Sequence, residues 1–241
     1  MSKAQTLSRP LAARIAALPQ PAESLTPTPP LNEGLVDAAL EALDAGKTHY
    51  TDRPGILPLR QWISGEMERR YALAVKPEAV TITCDVIEAR FVALKQMPTS
   101  GTSVLTPEVT ASRITAAAHL IGISLCSSIE AAPISTLYLA EADIDDAAAI
   151  IPWLEAAHEQ RWWIIWEMDM AGSGSFHPAQ REGLAERVLS IGGFGRQIPG
   201  WQIGWMAGSE MAGKLRAFKQ SMTICSTSIA QWAALGMVKH S

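Results

Sequence analysis

The chain has 241 residues, of which 48% are hydrophobic and 18% charged, as in a globular protein that buries a substantial core. Its formal net charge of -4 leaves no basic surplus, so the composition argues against nucleic acid as a partner. The three cysteines are widely spaced, and the five histidines never fall at metal-ligand spacing. We therefore expect neither a disulfide framework nor a metal site.

The N-terminus resembles neither a secretory signal nor a membrane anchor. It carries basic residues but no uninterrupted apolar core and no small-residue cleavage site. No apolar run in the chain approaches the roughly 18 residues that are needed to cross a bilayer. The expected location is the cytoplasm.

The first predicted elements are helices on either side of a proline-rich segment. Residues 11–18 favour a short helix, but residues 19–30 contain too many prolines to continue it. Residues 1–30 are therefore predicted to be an arm or linker. Apolar residues at helical spacing then predict helices over 32–43 and 57–73.

Short β-type runs alternate with helical segments over the rest of the chain. The β-type runs are 80–83, 103–106, 122–126, 135–139, 162–166, 187–191 and 201–207, and the helical segments are 86–96, 111–120, 145–158, 180–185 and 210–238. This alternation predicts an α/β fold in three layers, with a mostly parallel, seven-stranded sheet covered on both faces. The run 162–166 is apolar on both faces, which predicts an interior strand.

Two groups of motifs stand in the order found in one enzyme family. Tyr50, Gly55 and the pair Leu59-Arg60 have the spacing of a Tyr…Gly…Leu-Arg segment, and residues 199–205 read Pro-Gly-Trp-Gln-Ile-Gly-Trp. In these motifs the chain resembles the class I/II aminotransferases of the fold type I superfamily, which depend on pyridoxal phosphate (PLP). The resemblance covers about residues 31–238. It implies that residues 31–241 form the large domain, in a truncated chain without the family's C-terminal small domain.

The resemblance also implies where the cofactor would be held. The family's lysine forms an imine with PLP, an acidic group meets the pyridinium nitrogen, and several donors bind the phosphate. In the lysine-bearing segment this chain has Arg196, whose guanidinium stays protonated and cannot form an imine. Asp85 replaces a glycine of the phosphate loop, Val109 replaces the aromatic residue that stacks on the ring, and Gln202 replaces a phosphate-binding arginine.

Other family positions keep a polar group. Glu167 or Asp169 stands where the acidic residue is expected, and Tyr50 matches a phosphate ligand that acts across a dimer interface in the family. The family's Asn-Pro-x-Gly motif is missing from residues 139–143. The predicted vestigial cofactor-binding positions are Tyr50, Asp85, Val109, Glu167, Asp169, Arg196 and Gln202. No catalytic residue and no metal ligand are assigned.

The favoured hypothesis is a non-catalytic, cofactor-free protein with a structural or partner-binding role. It would be a homo-oligomer, or would bind a protein that covers the surface left by the missing small domain. One hypothesis is that aromatic and Met side chains supply that surface, namely Trp166, Met168, Met170, Trp205 and Met206. The equally weighted alternative is that the tryptophans are all buried, in a sheet covered on both faces.

Two other hypotheses remain open. The first is an aminotransferase-related enzyme with residual or altered use of the pocket, by PLP or by another small anion. Its lysine would come from a second chain, or Arg196 would bind the anion. The second is a decayed or partial gene product without an evolved role.

Overall fold

The structure is a computed structural model that describes residues 33–99, 101–130, 133–170, 174, 176–194, 198 and 200–239. The predicted arm at residues 1–30 lies outside the described residues, as does Arg196.

A seven-stranded sheet forms the centre of the described chain. Its strands are β1 (Val80–Thr83), β2 (Ser103–Leu105), β3 (Leu125–Cys126), β4 (Ile134–Ala140), β5 (Trp163–Glu167), β6 (Val188–Gly193) and β7 (Gly204–Ala207). They lie in the order β1-β7-β6-β5-β4-β2-β3. All seven predicted strands are therefore confirmed, and the run around Trp163 is interior, as predicted.

The sheet is mixed, because β7 runs antiparallel to both of its neighbours, β1 and β6. The other pairs are parallel. A parallel connection needs a crossover of about a dozen residues or more. The ten residues between Gly193 and Gly204 are too few for a helical crossover, so the chain turns back directly.

Helices precede the sheet in the chain and connect its strands. They are α1 (Glu33–Asp44), α2 (Leu57–Tyr71), α3 (Val86–Gln96), α4 (Glu108–Ala111), α5 (Thr115–Ile121), α6 (Ile151–Glu159), α7 (Ala212–Met222) and α8 (Ser228–Lys239). The segments predicted as single helices over 111–120 and 210–238 are each divided in two. The predicted helix over 180–185 is wrong, since two short 3-10 turns flank Gly183, whose φ of 77° interrupts a right-handed helix.

Helices cover both faces of the sheet. Ile164 and Trp166 of β5 belong to a core cluster with Leu59 of α2, whereas Ile165 belongs to a second cluster with Val92 of α3. Because successive side chains of a strand point to opposite faces, this central strand is buried on both sides. Within the described residues, no helix is long and apolar enough to cross a membrane.

The predicted Trp and Met surface patch is wrong. Trp166, Met168, Trp205 and Met206 are between 0% and 4% exposed, and Met170 is partly buried against the same core. The residues face inward because the sheet is covered on both sides. They therefore cannot form an interface with a partner without partial unfolding.

Candidate functional site

The carboxyl ends of β4 and β5 bring four charged side chains together. Glu167 is the last residue of β5, and Asp143 lies in the 3-10 turn that follows β4. Arg90 reaches this edge from α3, and Arg113 reaches it from the segment between α4 and α5. Because neighbouring parallel strands end at the same edge, this is where an α/β fold places its ligands.

Arg90 and Glu167 form a bidentate pair within this group. Arg90 Nε donates to Glu167 Oε2 at 2.7 Å, and Arg90 Nη2 donates to Oε1 at 2.6 Å. The hydroxyl of Tyr138 also donates to Glu167 Oε2, and Arg113 Nη1 donates to Oε1 at 3.3 Å. Both oxygens of this carboxylate are therefore already occupied by donors from the chain itself.

Protonation states within the group are set by burial and by these bonds. Burial is the largest single influence and lowers the pKa of Arg90, but the hydrogen bonds and charge interactions with Glu167 and Tyr138 together raise the pKa of the guanidinium above its ordinary value. Burial, together with the adjacent Glu167 charge, raises the pKa of Tyr138 well above its ordinary value. Tyr138 is thus a neutral donor, and Arg90 is a permanent cation.

Arg113 and Asp143 form a second bidentate pair, with two hydrogen bonds of 2.6 Å. The hydrogen bond from Arg113 holds the pKa of the Asp143 carboxyl below its ordinary range. Since Arg113 also contacts Glu167, the pairs join into one network. We call Arg90, Glu167, Arg113 and Asp143 the arginine–carboxylate network.

Asp169, the other candidate acid, lies against a different cluster. Its backbone N–H donates to Glu141 Oε2 at 2.8 Å, and its carbonyl oxygen accepts from Arg70 Nη2 at 2.9 Å. The Tyr71 hydroxyl donates to the other Glu141 oxygen at 2.7 Å. Of the two predicted acids, Glu167 is the one in the arginine–carboxylate network.

The loop expected to hold a phosphate is filled by carboxylates of the chain. Asp85 caps α3 by accepting from the Val86 N–H at 2.6 Å, and Glu88 Oε2 accepts from the Cys84 N–H at 2.6 Å. A Cβ on Gly204 would lie 2.3–2.5 Å from the Asp85 and Val86 backbone, so β7 presses directly on this loop. A phosphate here would meet two acidic groups.

A buried lysine beside this loop was missed by the sequence analysis. Lys219 of α7 is 0% exposed. Its Nζ donates to the Thr223 carbonyl oxygen at 3.3 Å and to Ser226 Oγ at 3.5 Å, and Ser226 Oγ also contacts Cys84 Sγ at 3.9 Å. The Lys219 side chain is therefore buried in the fold, although the sequence pattern alone predicts an exposed lysine at this position.

The other predicted positions do not join the network. Val109 and Tyr50 are 62% and 80% exposed, and Gln202 is exposed on the approach to β7. Arg196 lies outside the described residues, so its assignment as a vestigial cofactor-binding position stays a prediction. Arg90, Arg113 and Tyr138 were missed, although a buried acid after a central strand signals that a cation must lie nearby.

The described residues do not fit PLP in the arrangement that the resemblance implies. The Arg90 guanidinium binds Glu167, the acidic residue that the resemblance assigns to the pyridinium nitrogen. The carboxylates of Asp85 and Glu88 accept hydrogen bonds from the backbone of the loop that the resemblance assigns to the phosphate. Val109 has no aromatic ring to stack on the cofactor. Each of these contacts is internal to the chain.

Comparison with known sequences gives a partial match to aminotransferases. No protein-family model matches the chain. It is 37% identical over 73 residues to a probable aspartate aminotransferase of Methanocaldococcus jannaschii, covering 30% of this chain and 20% of that protein. It is 38% identical over 71 residues to the (5-formylfuran-3-yl)methyl phosphate transaminase of the same organism, covering 30% and 19%. The matches thus span about a fifth of these curated relatives.

Solved structures match over nearly the whole chain. The aspartate aminotransferase of Thermotoga maritima aligns with a TM-score of 0.77 at 20% identity, over 99% of this chain and 72% of that one. The aspartate aminotransferase of Thermus thermophilus with maleate aligns with a TM-score of 0.76 at 18% identity, over 100% and 71%. At these identities the likeness establishes the fold.

These findings correct two predictions. The prediction of a non-catalytic, structural or partner-binding protein is contradicted, because the relatives are named aminotransferases and the aligned structures are aminotransferases. The prediction that the chain uses no cofactor is contradicted as well, since the class that it resembles depends on PLP. Local sequence similarity and the shared fold agree: about 30% of the chain is similar in sequence to aspartate aminotransferases, and the described chain has the fold of the aligned aspartate aminotransferases.

Proposed function

We propose that the chain is an aminotransferase-related enzyme with an altered pocket, which binds a small oxyanion through Arg113 and Arg90. The observation that carries this proposal is that both guanidinium groups converge on Glu167, with N–O distances of 2.6 and 3.3 Å. The relatives support an enzyme, and one of them acts, by its name, on a phosphate ester.

Arg113 is the side chain best suited to receive the anion. Its Nη1 lies 3.3 Å from Glu167 Oε1, which is longer than the roughly 2.7–2.9 Å of a strong charged hydrogen bond. Its side chain is 24% exposed, whereas that of Arg90 is 15% exposed. Because the guanidinium is planar and rigid, Nη1 stays beside Glu167 while Asp143 holds Nε and Nη2, and the second N–H of Nη1 can donate to an incoming anion.

A carboxylate is the favoured anion. A guanidinium donates charged hydrogen bonds to a carboxylate, and Arg113 Nη1 can make such a bond while Asp143 holds Nε and Nη2. A doubly charged phosphate would experience stronger repulsion from Glu167 and Asp143 than a single carboxylate would. The network itself is neutral, with two cations and two anions, so the pocket should select small ligands of low charge.

The place of PLP in this protein differs from its place in the family pattern. When bound, PLP supplies an aldehyde and an electron-withdrawing ring. The described residues present no lysine to that aldehyde in the arginine–carboxylate network. The proposal therefore gives Arg113 and Arg90 the task of binding and orienting an anion, and PLP enters the experiment as one probe among others.

Isothermal titration calorimetry tests the proposal with maleate, inorganic phosphate and PLP as probes. We expect saturable binding of maleate to the unaltered protein, and weakening by roughly tenfold or more in Arg113→Gln, because a charged hydrogen bond contributes about 1.5–3 kcal/mol. Arg181→Gln is the matched control, since Arg181 pairs with Glu155 at the surface at 3.7 Å, outside the arginine–carboxylate network. Equal maleate affinity in Arg113→Gln and the unaltered protein would refute the proposal, as would absence of maleate binding.

We also propose that residues 31–241 act as the large domain of this enzyme and that the chain forms a homo-oligomer. Tyr50 supports the oligomer, because its ring is 80% exposed in the single chain. In the family pattern, the matching tyrosine acts across a subunit interface. A second copy of the chain would cover this aromatic ring.

A further inference from the structure

A cavity of about 740 Å³ lies at the edge of the sheet opposite the arginine–carboxylate network. Its walls include the apolar side chains of Met67, Leu73 and Val188, and it is also lined by His177 and Ser190. Val188 begins β6, so the cavity lies at the amino end of that strand, whereas Glu167 is the last residue of β5. Ligand cavities usually have volumes of about 300–1,000 Å³ and mostly apolar walls.

The His177 ring is held in one tautomer. Its Nδ1 accepts a hydrogen bond from the Ala179 N–H at 3.1 Å, so Nδ1 carries no proton. Burial lowers the pKa of His177 to about 3, and the ring is neutral near pH 7. The single ring proton therefore lies on Nε2, which donates to Ser190 Oγ at 2.9 Å. This assignment makes Ser190 the acceptor in that bond.

The Ser190 hydroxyl then has a hydrogen of its own to donate. The side chain is 1% exposed, and the contact with His177 is the one hydrogen bond that its hydroxyl makes among the described residues. A buried donor without an acceptor is costly, and native structures usually provide a partner or a ligand. Ser190 is among the residues that line the cavity, so a molecule seated against this wall would lie beside the donor.

The surroundings restrict the charge of such a molecule. The cavity is also lined by Lys76, Glu186 and Glu210, which are all exposed. Together they carry a formal charge of -1, which disfavours an anion. The apolar walls disfavour any ion that would lose its water. The remaining choice is a neutral molecule with an apolar body and one hydrogen-bond acceptor.

We propose that this cavity is a second ligand site, which binds a neutral, largely apolar carbonyl compound whose oxygen accepts from Ser190 Oγ. Aromatic packing fixes the donor in place, because the His177 ring lies 5.0 Å from the Tyr71 ring and 5.7 Å from the Trp166 ring between centroids. The site is independent of the proposed anion pocket and rests on none of its residues.

A matched pair of probes tests the role of the acceptor. Acetophenone and ethylbenzene have similar shapes, but only acetophenone has a carbonyl oxygen. Ligand-observed NMR titration of the full chain should show acetophenone binding roughly five- to tenfold more tightly than ethylbenzene, as expected for one net hydrogen bond. Equal affinities, or no binding of acetophenone, would overturn the proposal.

Three variants locate the binding. Ser190→Ala should remove the preference for acetophenone, whereas Ser221→Ala, which removes an exposed hydroxyl on α7, should keep it. Ala79→Leu should reduce the binding of both probes, because Ala79 lines the cavity and a larger side chain fills it. Unchanged acetophenone binding in both Ala79→Leu and Ser190→Ala would place the probe elsewhere and overturn the proposal. Arg113→Gln should bind acetophenone normally, which separates this site from the anion pocket.

Discussion

The guanidinium of Arg90 and the carboxylate of Glu167 form two parallel hydrogen bonds, of 2.7 and 2.6 Å, at the carboxyl end of the central strand β5. The two side chains are only 15% and 8% exposed. Arg90 thus binds Glu167, the residue at the position where the family pattern has an acid that meets the pyridinium nitrogen. This ion pair is a main reason for proposing that the pocket differs from that of the family.

Loss of Arg90 should leave the Glu167 charge poorly compensated. Removal of one partner of a buried pair costs about 3–5 kcal/mol; we expect about 2–3 kcal/mol for Arg90→Leu, because Tyr138 and Arg113 still donate to Glu167. Urea unfolding at pH 7 measures this loss. The double variant Arg90→Leu with Glu167→Gln should recover part of it, whereas Arg90→Leu alone being as stable as Arg181→Gln would contradict the prediction.

Acid should weaken the bond between Arg113 and Asp143. Because the folded-state pKa of Asp143 is lowered by Arg113, its stabilisation is present above the unfolded pKa of about 3.9 and is lost as pH falls through the folded pKa. The stability difference between the unaltered protein and Asp143→Asn should be full above roughly pH 5 and should shrink below about pH 4. Urea unfolding across that range measures it, and a constant difference would argue against the assignment.

Much of the fold was predictable because it depends on local patterns. All seven β-type runs became strands, since alternating apolar runs and helices are properties of short segments. The direction of β7 was not predicted, because it depends on the length of one loop. The inward direction of Trp205 was also left open, since burial depends on which helices cover the sheet.

The site was only partly predictable, for a related reason. Glu167 or Asp169 was predicted from the family resemblance, which places an acidic residue after this apolar strand. Its partner Arg90 is 77 residues away in sequence and lies on a helix, where an arginine usually indicates a solvent-exposed face. Lys219 was missed for the same reason. Pairing of charges across such distances depends on tertiary packing, which no local pattern encodes.

The contact between β7 and the loop at the start of α3 should tolerate no side chain at residue 204. Gly204→Ala would place a Cβ 2.3–2.5 Å from backbone atoms of Asp85 and Val86, which cannot move aside as a flexible side chain can. We expect destabilisation by about 2 kcal/mol or more, as for overpacking. Gly65→Ala is the control, since no atom lies within 4 Å of its Cβ in α2, and it should stabilise the helix by about 0.5–1 kcal/mol. Thermal unfolding compares the two, and equal effects would refute the prediction.

The proposed homo-oligomer predicts a particular mass in solution. Light scattering at micromolar concentration should give at least twice the chain mass of 25.9 kDa. Tyr50→Ser should shift the mass towards one chain, because it removes an aromatic ring that is 80% exposed. Leu120→Ser removes a side chain that is 77% exposed and should leave the mass unchanged. A monomer at all concentrations would contradict the oligomer.

The altered use of the pocket is tested most directly by reducing the protein–PLP mixture with borohydride and mapping any modified lysine by mass spectrometry. Borohydride converts an imine between PLP and a lysine into a stable adduct, so the experiment records whether a lysine of this chain takes the cofactor covalently. We predict no stoichiometric adduct at any single lysine, since Arg90 and Arg113 occupy Glu167 and no lysine lies in the arginine–carboxylate network. A stoichiometric adduct at one lysine, Lys219 included, would contradict the account and restore the covalent chemistry of the family.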